Sequence, residues 1–244
     1  MTNQSMQKMW LWLMVVGLMV FFGLGWYPLA GLLPPHQPSA SAEEIAAIYQ
    51  SNANGIRAGT LMCLFGMIFF YPYAGVIYAQ MRRIEEARGD PPFNSILQLV
   101  CGACAYTIGL VFPLMMWGIA AFRPDRNVEI TLVLNDLAWL FATMIFSPYI
   151  PQFLAFAIEI LRDKQPVPLF PRWVGWLNVW IAVSGIPVLF IFFFKTGPFA
   201  WNGIISFWLP FGIFFVGYAI TIFYLFRAVG REDYGCIESD RVSS

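Results

Sequence analysis

Ionisable and hydroxyl-bearing residues embedded in apolar text are where this chain could do chemistry, because such groups are costly in a hydrocarbon setting. Asp136 with its neighbour Asn135, Glu129, Arg57 and Glu159 are the charged candidates. Glu129, Asp136 and Thr143 recur every seven residues, so they share one helical stripe, continued by Ser147. A carboxyl enclosed among aromatic side chains is suited to proton transfer, which makes Asp136 and Glu129 the candidate acid/base residues. Arg57 falls at the same depth as Asp136 and is its natural electrostatic partner. Two readings stand side by side. In one, the group forms the mouth of an outward-facing pocket, with Arg57, Asn135, Tyr71, Tyr73, Thr143, Ser147 and Tyr149 as ligand-binding residues. In the other, Arg57 and Asp136 form a structural ion pair between two helices. Glu159, one turn before Arg162, reads as an ordinary interface pair.

Other chemistries are poorly served. His36 is the single histidine, so imidazole-based zinc, haem or di-iron sites are not expected, and no metal or cofactor is. Cys63, Cys101, Cys104 and Cys236 suggest no disulfide framework. The Cys101-Gly102-Ala103-Cys104 run has redox spacing but lies in an apolar helix, where small residues favouring close helix contact explain it better. Fourteen basic residues balance fourteen acidic ones, without a basic run, so nucleic acid is not an expected partner.

The elements that must hold these residues are membrane helices. The chain is 59% hydrophobic and 11% charged, with a mean hydropathy of +0.65. Soluble domains carry roughly 25% charge, so the surplus apolar surface must face lipid. A helix needs about 20 apolar residues to cross the hydrocarbon core. Six stretches qualify, at about 9–28, 58–81, 95–122, 132–161, 173–194 and 204–226. The expected fold is therefore all-α, a six-helix polytopic bundle over residues 1–230. The first stretch is too long for a signal-peptide core and reads as a retained span.

Basic residues give the expected orientation. With both termini cytoplasmic, Lys8, Arg82, Arg83, Arg88, Arg162, Lys164, Arg172, Arg227, Arg231 and Arg241 lie inside, and only Arg57, Arg123, Arg126 and Lys195 outside. The short inner loops carry turn residues at 89–92 and 166–168. The long outer connection holds an amphipathic helix at about 41–54, opened by a capping box of Ser41 and Glu44. The polar tail at 231–244 is expected to be a flexible cytoplasmic segment. Each span carries proline: Pro28, Pro72, Pro113, Pro148 with Pro151, Pro187 and Pro210. Kinks at similar depth would open a cavity between helices, with Tyr71, Tyr73, Ser147 and Tyr149 beside them. Residues 64–73 and 140–149 match at five of ten positions, a faint parallel echo.

Four stretches, Phe122–Arg126, Leu134–Trp139, Phe170–Asn178 and Phe194–Gly203, resemble a family of multi-pass inner-membrane proteins of actinobacteria and proteobacteria. That family has about this length and no assigned activity, so the resemblance implies a bacterial inner membrane and lends no catalytic residues. Size and aromatic richness are also similar to the metal-free membrane terpene cyclases. Their Trp-Glu pairing is missing, since Leu140 follows Trp139. The expected function is binding or moving a hydrophobic small molecule. The alternatives are a cofactor-free isomerase or cyclase using Asp136, and an accessory subunit packed against a second copy or another membrane protein.

Overall fold

Spans one and two meet through glycine. A Cβ at Gly59 would lie 2.5 Å from the Gly25 carbonyl oxygen, and one at Gly66 would lie 2.7 Å from that of Gly17. Two levels of backbone-to-backbone contact follow, which only residues without a side chain permit. Between them the Cys63 thiol donates to the Phe21 carbonyl at 3.2 Å.

The structure is a computed structural model and describes residues 2–231. Six of its helices are long and apolar enough to cross a membrane: Asn3–Leu29, Ala53–Ala87, Phe93–Phe122, Val128–Arg162, Arg172–Phe193 and Ile204–Val229. No strand occurs among the described residues. The expected spans are all present, three of them extended by a turn or more. The short helix between spans one and two runs Ala42–Ser51 and carries the expected reciprocal cap, with Glu44 N–H on Ser41 Oγ and Ser41 N–H on the Glu44 carboxylate. It stops at Asn52, whose amide donates to the carbonyls of Leu29 and Ala30. The polar tail and Cys236 lie outside the described residues.

Proline marks where the spans leave α geometry. A proline offers no N–H and its ring crowds the carbonyl four residues back. The first span becomes π-helical over Met19–Leu29 around Pro28. The third is π-helical over Thr107–Val111, just before Pro113, and the sixth over Ile204–Trp208, just before Pro210. The fifth ends as an α-helix at Ser184 and continues as a 3-10 helix, Ile186–Phe193, through Pro187. Spans two and four break instead. Their α-helices stop at Met67 and Thr143 and restart at Phe70 and Phe146, ahead of Pro72 and Pro148. These breaks fall at equivalent positions of the 64–73 and 140–149 echo.

Polar contacts sort the bundle into two ends. At one, Gln4 reaches Val229, Gln80 reaches Gln7, and Arg83 reaches the carbonyls of Ala228 and Arg231. There Glu85, 1% exposed, accepts the Ser95 N–H and hydroxyl at the start of span three. Glu159 accepts Arg88 and Asn94, each at 2.6 Å. Glu159 is thus fully buried and tied mainly to Arg88 of another span, with Arg162 farther off at 3.8 Å. Asp163 holds the following loop by accepting the N–H groups of Gln165 and Leu169. At the opposite end the connection between spans one and two is pinned, with Gln50 on the Pro124 carbonyl and the Trp201 indole on the His36 carbonyl at 2.7 Å.

Candidate functional site

A cavity of about 150 Å³ lies among spans one, three, four, five and six. It runs from mid-span toward the His36 end, at the level where these helices leave α geometry. The π-helical stretch of span one supplies Phe21, Phe22 and Trp26, and that of span three supplies Gly109 and Leu110, followed by Pro113 and Trp117. Span four contributes at its break, through Ala142, Thr143, Ile145 and Tyr149. Gly185 and Val188 come from span five; Ser206, Phe207, Pro210 and Phe211 come from span six. Non-α turns space side chains irregularly, so neighbouring helices cannot interdigitate there as regular ridges and grooves do.

Its floor is polar and internally bonded. The Tyr106 oxygen accepts Gln152 Nε2 at 3.2 Å and the Tyr218 hydroxyl at 3.1 Å. Below it a second void of about 10 Å³ is edged by Tyr73, Gln98, Asn178 and Thr221. Both amide atoms of Gln98 and Oδ1 of Asn178 are buried there without a partner among the described residues. A Cβ on Gly102 would lie 3.2 Å from Gln152 Nε2 and 3.6 Å from Gln98 Nε2, so the two glutamines flank one point.

The roof is aromatic. Trp26 and Trp117 pack with Trp139 at ring-centre distances of 6.2 and 5.0 Å, and Phe207 and Phe211 stack beside them. His36 sits edge-on over Trp139 at 5.9 Å. Its Nδ1 and the Tyr49 hydroxyl both hydrogen-bond to Asn135 Oδ1, at 3.0 and 3.1 Å. Two donors on one oxygen fix Nδ1 as the protonated nitrogen. Burial pushes the His36 imidazole below its ordinary value, and the Asn135 bond opposes that in part. Tyr49 is pushed up by burial and by the nearby Asp136 charge.

No family model, curated protein or solved structure matches this chain. The site therefore rests on its own geometry.

That geometry divides the residues expected from sequence. Thr143 and Tyr149 line the cavity, and Tyr73 lines the small void beneath it. Asn135 is buried about two turns above, roughly 12 Å along the helix from Thr143. Arg57 forms no ion pair with Asp136 among the described residues. It donates instead to the carbonyls of Ala121 and Phe122 and to Asn54, capping the last turn of span three. Free carbonyls at a helix C-terminus attract a guanidinium at shorter reach than a carboxylate on the next span. Glu129 is exposed in the first turn of span four, Ser147 is exposed, and Tyr71 bonds outward to Thr107. Asp136 does not line the cavity. Its neighbour Asn135 is held in a packed cluster with His36 and Tyr49, and His36 lies against Trp139. Sequence reading missed Trp26, Tyr106, Trp117, Gln152 and Tyr218. The signal for two of them was available: Gln152 and Tyr106 are polar groups deep inside apolar spans.

Proposed function

We propose that the protein binds a hydrophobic small molecule within the bilayer, in the cavity between its proline-bearing spans. The observation that carries this reading is an apolar, uncharged cavity of about 150 Å³ with bonded hydroxyls at one end. A void of that size in a packed interior forfeits contact energy along its whole lining. Five spans line it where they depart from regular helix. Ligand sites in helical proteins have this character, mostly apolar with a few placed polar groups.

The setting we propose is a bacterial inner membrane, in keeping with the family resemblance. The Arg82, Arg83, Arg88, Arg162 and Arg231 end faces the cytoplasm and the His36 end faces the periplasm. A reporter fused after the last residue should be active in the cytoplasmic format and silent in the periplasmic one.

Binding is tested by extracting lipophilic compounds from protein purified in mild detergent, beside an Ala142→Phe variant whose added ring fills the cavity. The expected result is a compound recovered near one-to-one from the wild type and lost from the folded variant. Equal recovery from both, or none from the wild type in any membrane extract, overturns the reading.

A further inference from the structure

Most polar side chains of the cavity have already given their protons to the protein. The Thr143 and Ser206 hydroxyls donate to the carbonyls of Trp139 and Phe199, at 2.6 and 2.9 Å, so each has only lone pairs left to offer. Gln152, 4% exposed, spends an amide N–H on the Tyr106 oxygen, and its Oε1 accepts nothing among the described residues. Tyr149 packs its ring on Phe153 with centres 4.5 Å apart, and its hydroxyl bonds to no described residue. Tyr149 and Gln152 stand three residues apart on span four, hence on one face of the helix, and both line the cavity. That face presents a proton from Tyr149 and a lone pair from Gln152. Such groups in apolar surroundings are costly unless something meets them. No Lys, Arg, His, Asp or Glu is among the lining residues.

We infer that the cavity takes a neutral, lipid-soluble alcohol, whose hydroxyl accepts from Tyr149 and donates to Gln152 Oε1. This rests on the binding reading above and names the ligand chemistry. A hydroxyl carries one proton and two lone pairs, so it meets both groups at once. A ketone or ether meets the Tyr149 proton alone and leaves Gln152, Thr143 and Ser206 without a donor. A carboxylate or phosphate ester would bury an anion with no cation to meet it, and an amine cation would find no carboxylate. The aromatic lining, Phe207 and Phe211 among it, packs against the apolar body of the ligand. A void of about 150 Å³ admits one benzene-sized ring, so a longer body must run out between the helices.

The test uses the full chain in detergent and four matched probes by equilibrium dialysis: benzyl alcohol, benzaldehyde, ethylbenzene and benzoate. Binding of each is referred to its concentration in empty micelles. The alcohol should bind about tenfold more tightly than ethylbenzene, as buried hydrogen bonds give, and more tightly than the aldehyde. Benzoate should not bind above the empty-micelle level. Tyr149→Phe removes a hydroxyl that no described residue holds, so it should fold with an unchanged thermal midpoint. It should cut the alcohol's advantage over ethylbenzene about threefold, by removing one of its two bonds. If that variant does not fold, the ranking of alcohol over aldehyde in the wild type carries the test. Equal binding of alcohol and ethylbenzene, aldehyde bound as well as alcohol, an advantage that Tyr149→Phe leaves whole, or uptake of benzoate overturns the alcohol inference and leaves the cavity reading intact. Equal uptake of every probe by wild type and Ala142→Phe overturns the cavity reading itself.

Discussion

Tyr218 donates its hydroxyl to Tyr106 across 3.1 Å, joining the sixth span to the third in the middle of the bundle. Gln152 of span four donates to the same oxygen, so one phenol ties three helices together. Removing the acceptor strands two buried donors, whereas removing one donor strands none. Tyr106→Phe should cost about 1–3 kcal/mol. Its thermal midpoint in detergent should fall well below that of Tyr218→Phe. Equal midpoints would show that the shared oxygen is not what holds the three spans.

Arg88 and Glu159 pair at 2.6 Å with Glu159 1% exposed. Glu159→Gln leaves the Arg88 charge with Asp90 alone, and should destabilise by on the order of 3 kcal/mol. Adding Arg88→Gln should recover most of the loss. A double variant no better than Glu159→Gln would count against the pair.

The Gly25 and Gly59 contact should admit no methyl group. Gly59→Ala would bring a Cβ to 2.5 Å from backbone oxygen and should lower the yield of monodisperse protein. Gly75→Ala, with nothing within 4 Å of its Cβ, should have no such effect. Similar yields for the two would contradict the close approach.

His36 makes stability depend on pH. Its folded pKa is depressed by burial, so the unfolded chain takes up a proton more readily. Stability is then full above about pH 6.5 and is lost as pH falls through the depressed folded value. The thermal midpoint should drop between pH 7.5 and 5.5 by more in the wild type than in His36→Gln. Parallel curves would remove His36 from the account.

Arg57 caps carbonyls and does not pair with Asp136. Arg57→Ala should therefore lower the thermal midpoint, while Asp136→Asn should change stability by less than about 0.5 kcal/mol. Loss of similar size in both variants would restore the ion pair.

Composition and run length alone determined the six spans, because a helix in lipid must satisfy its own backbone and show apolar side chains outward. The Ser41 and Glu44 cap was equally legible, being local in sequence, and the prolines marked the level at which the helices change geometry. Depth along a helix could be counted, so Arg57 and Asp136 were placed at one level. What only the tertiary structure decided was which groups face one another. The stripe of Glu129, Asp136 and Thr143 is a property of one helix, but rotation about its axis is set by packing against four others. The carbonyls that hold Arg57 exist only where span three ends beside span two. The cavity likewise belongs to no segment. It arises where five irregular stretches meet, bringing Trp26, Tyr106, Trp117, Gln152 and Tyr218 together from four separate spans.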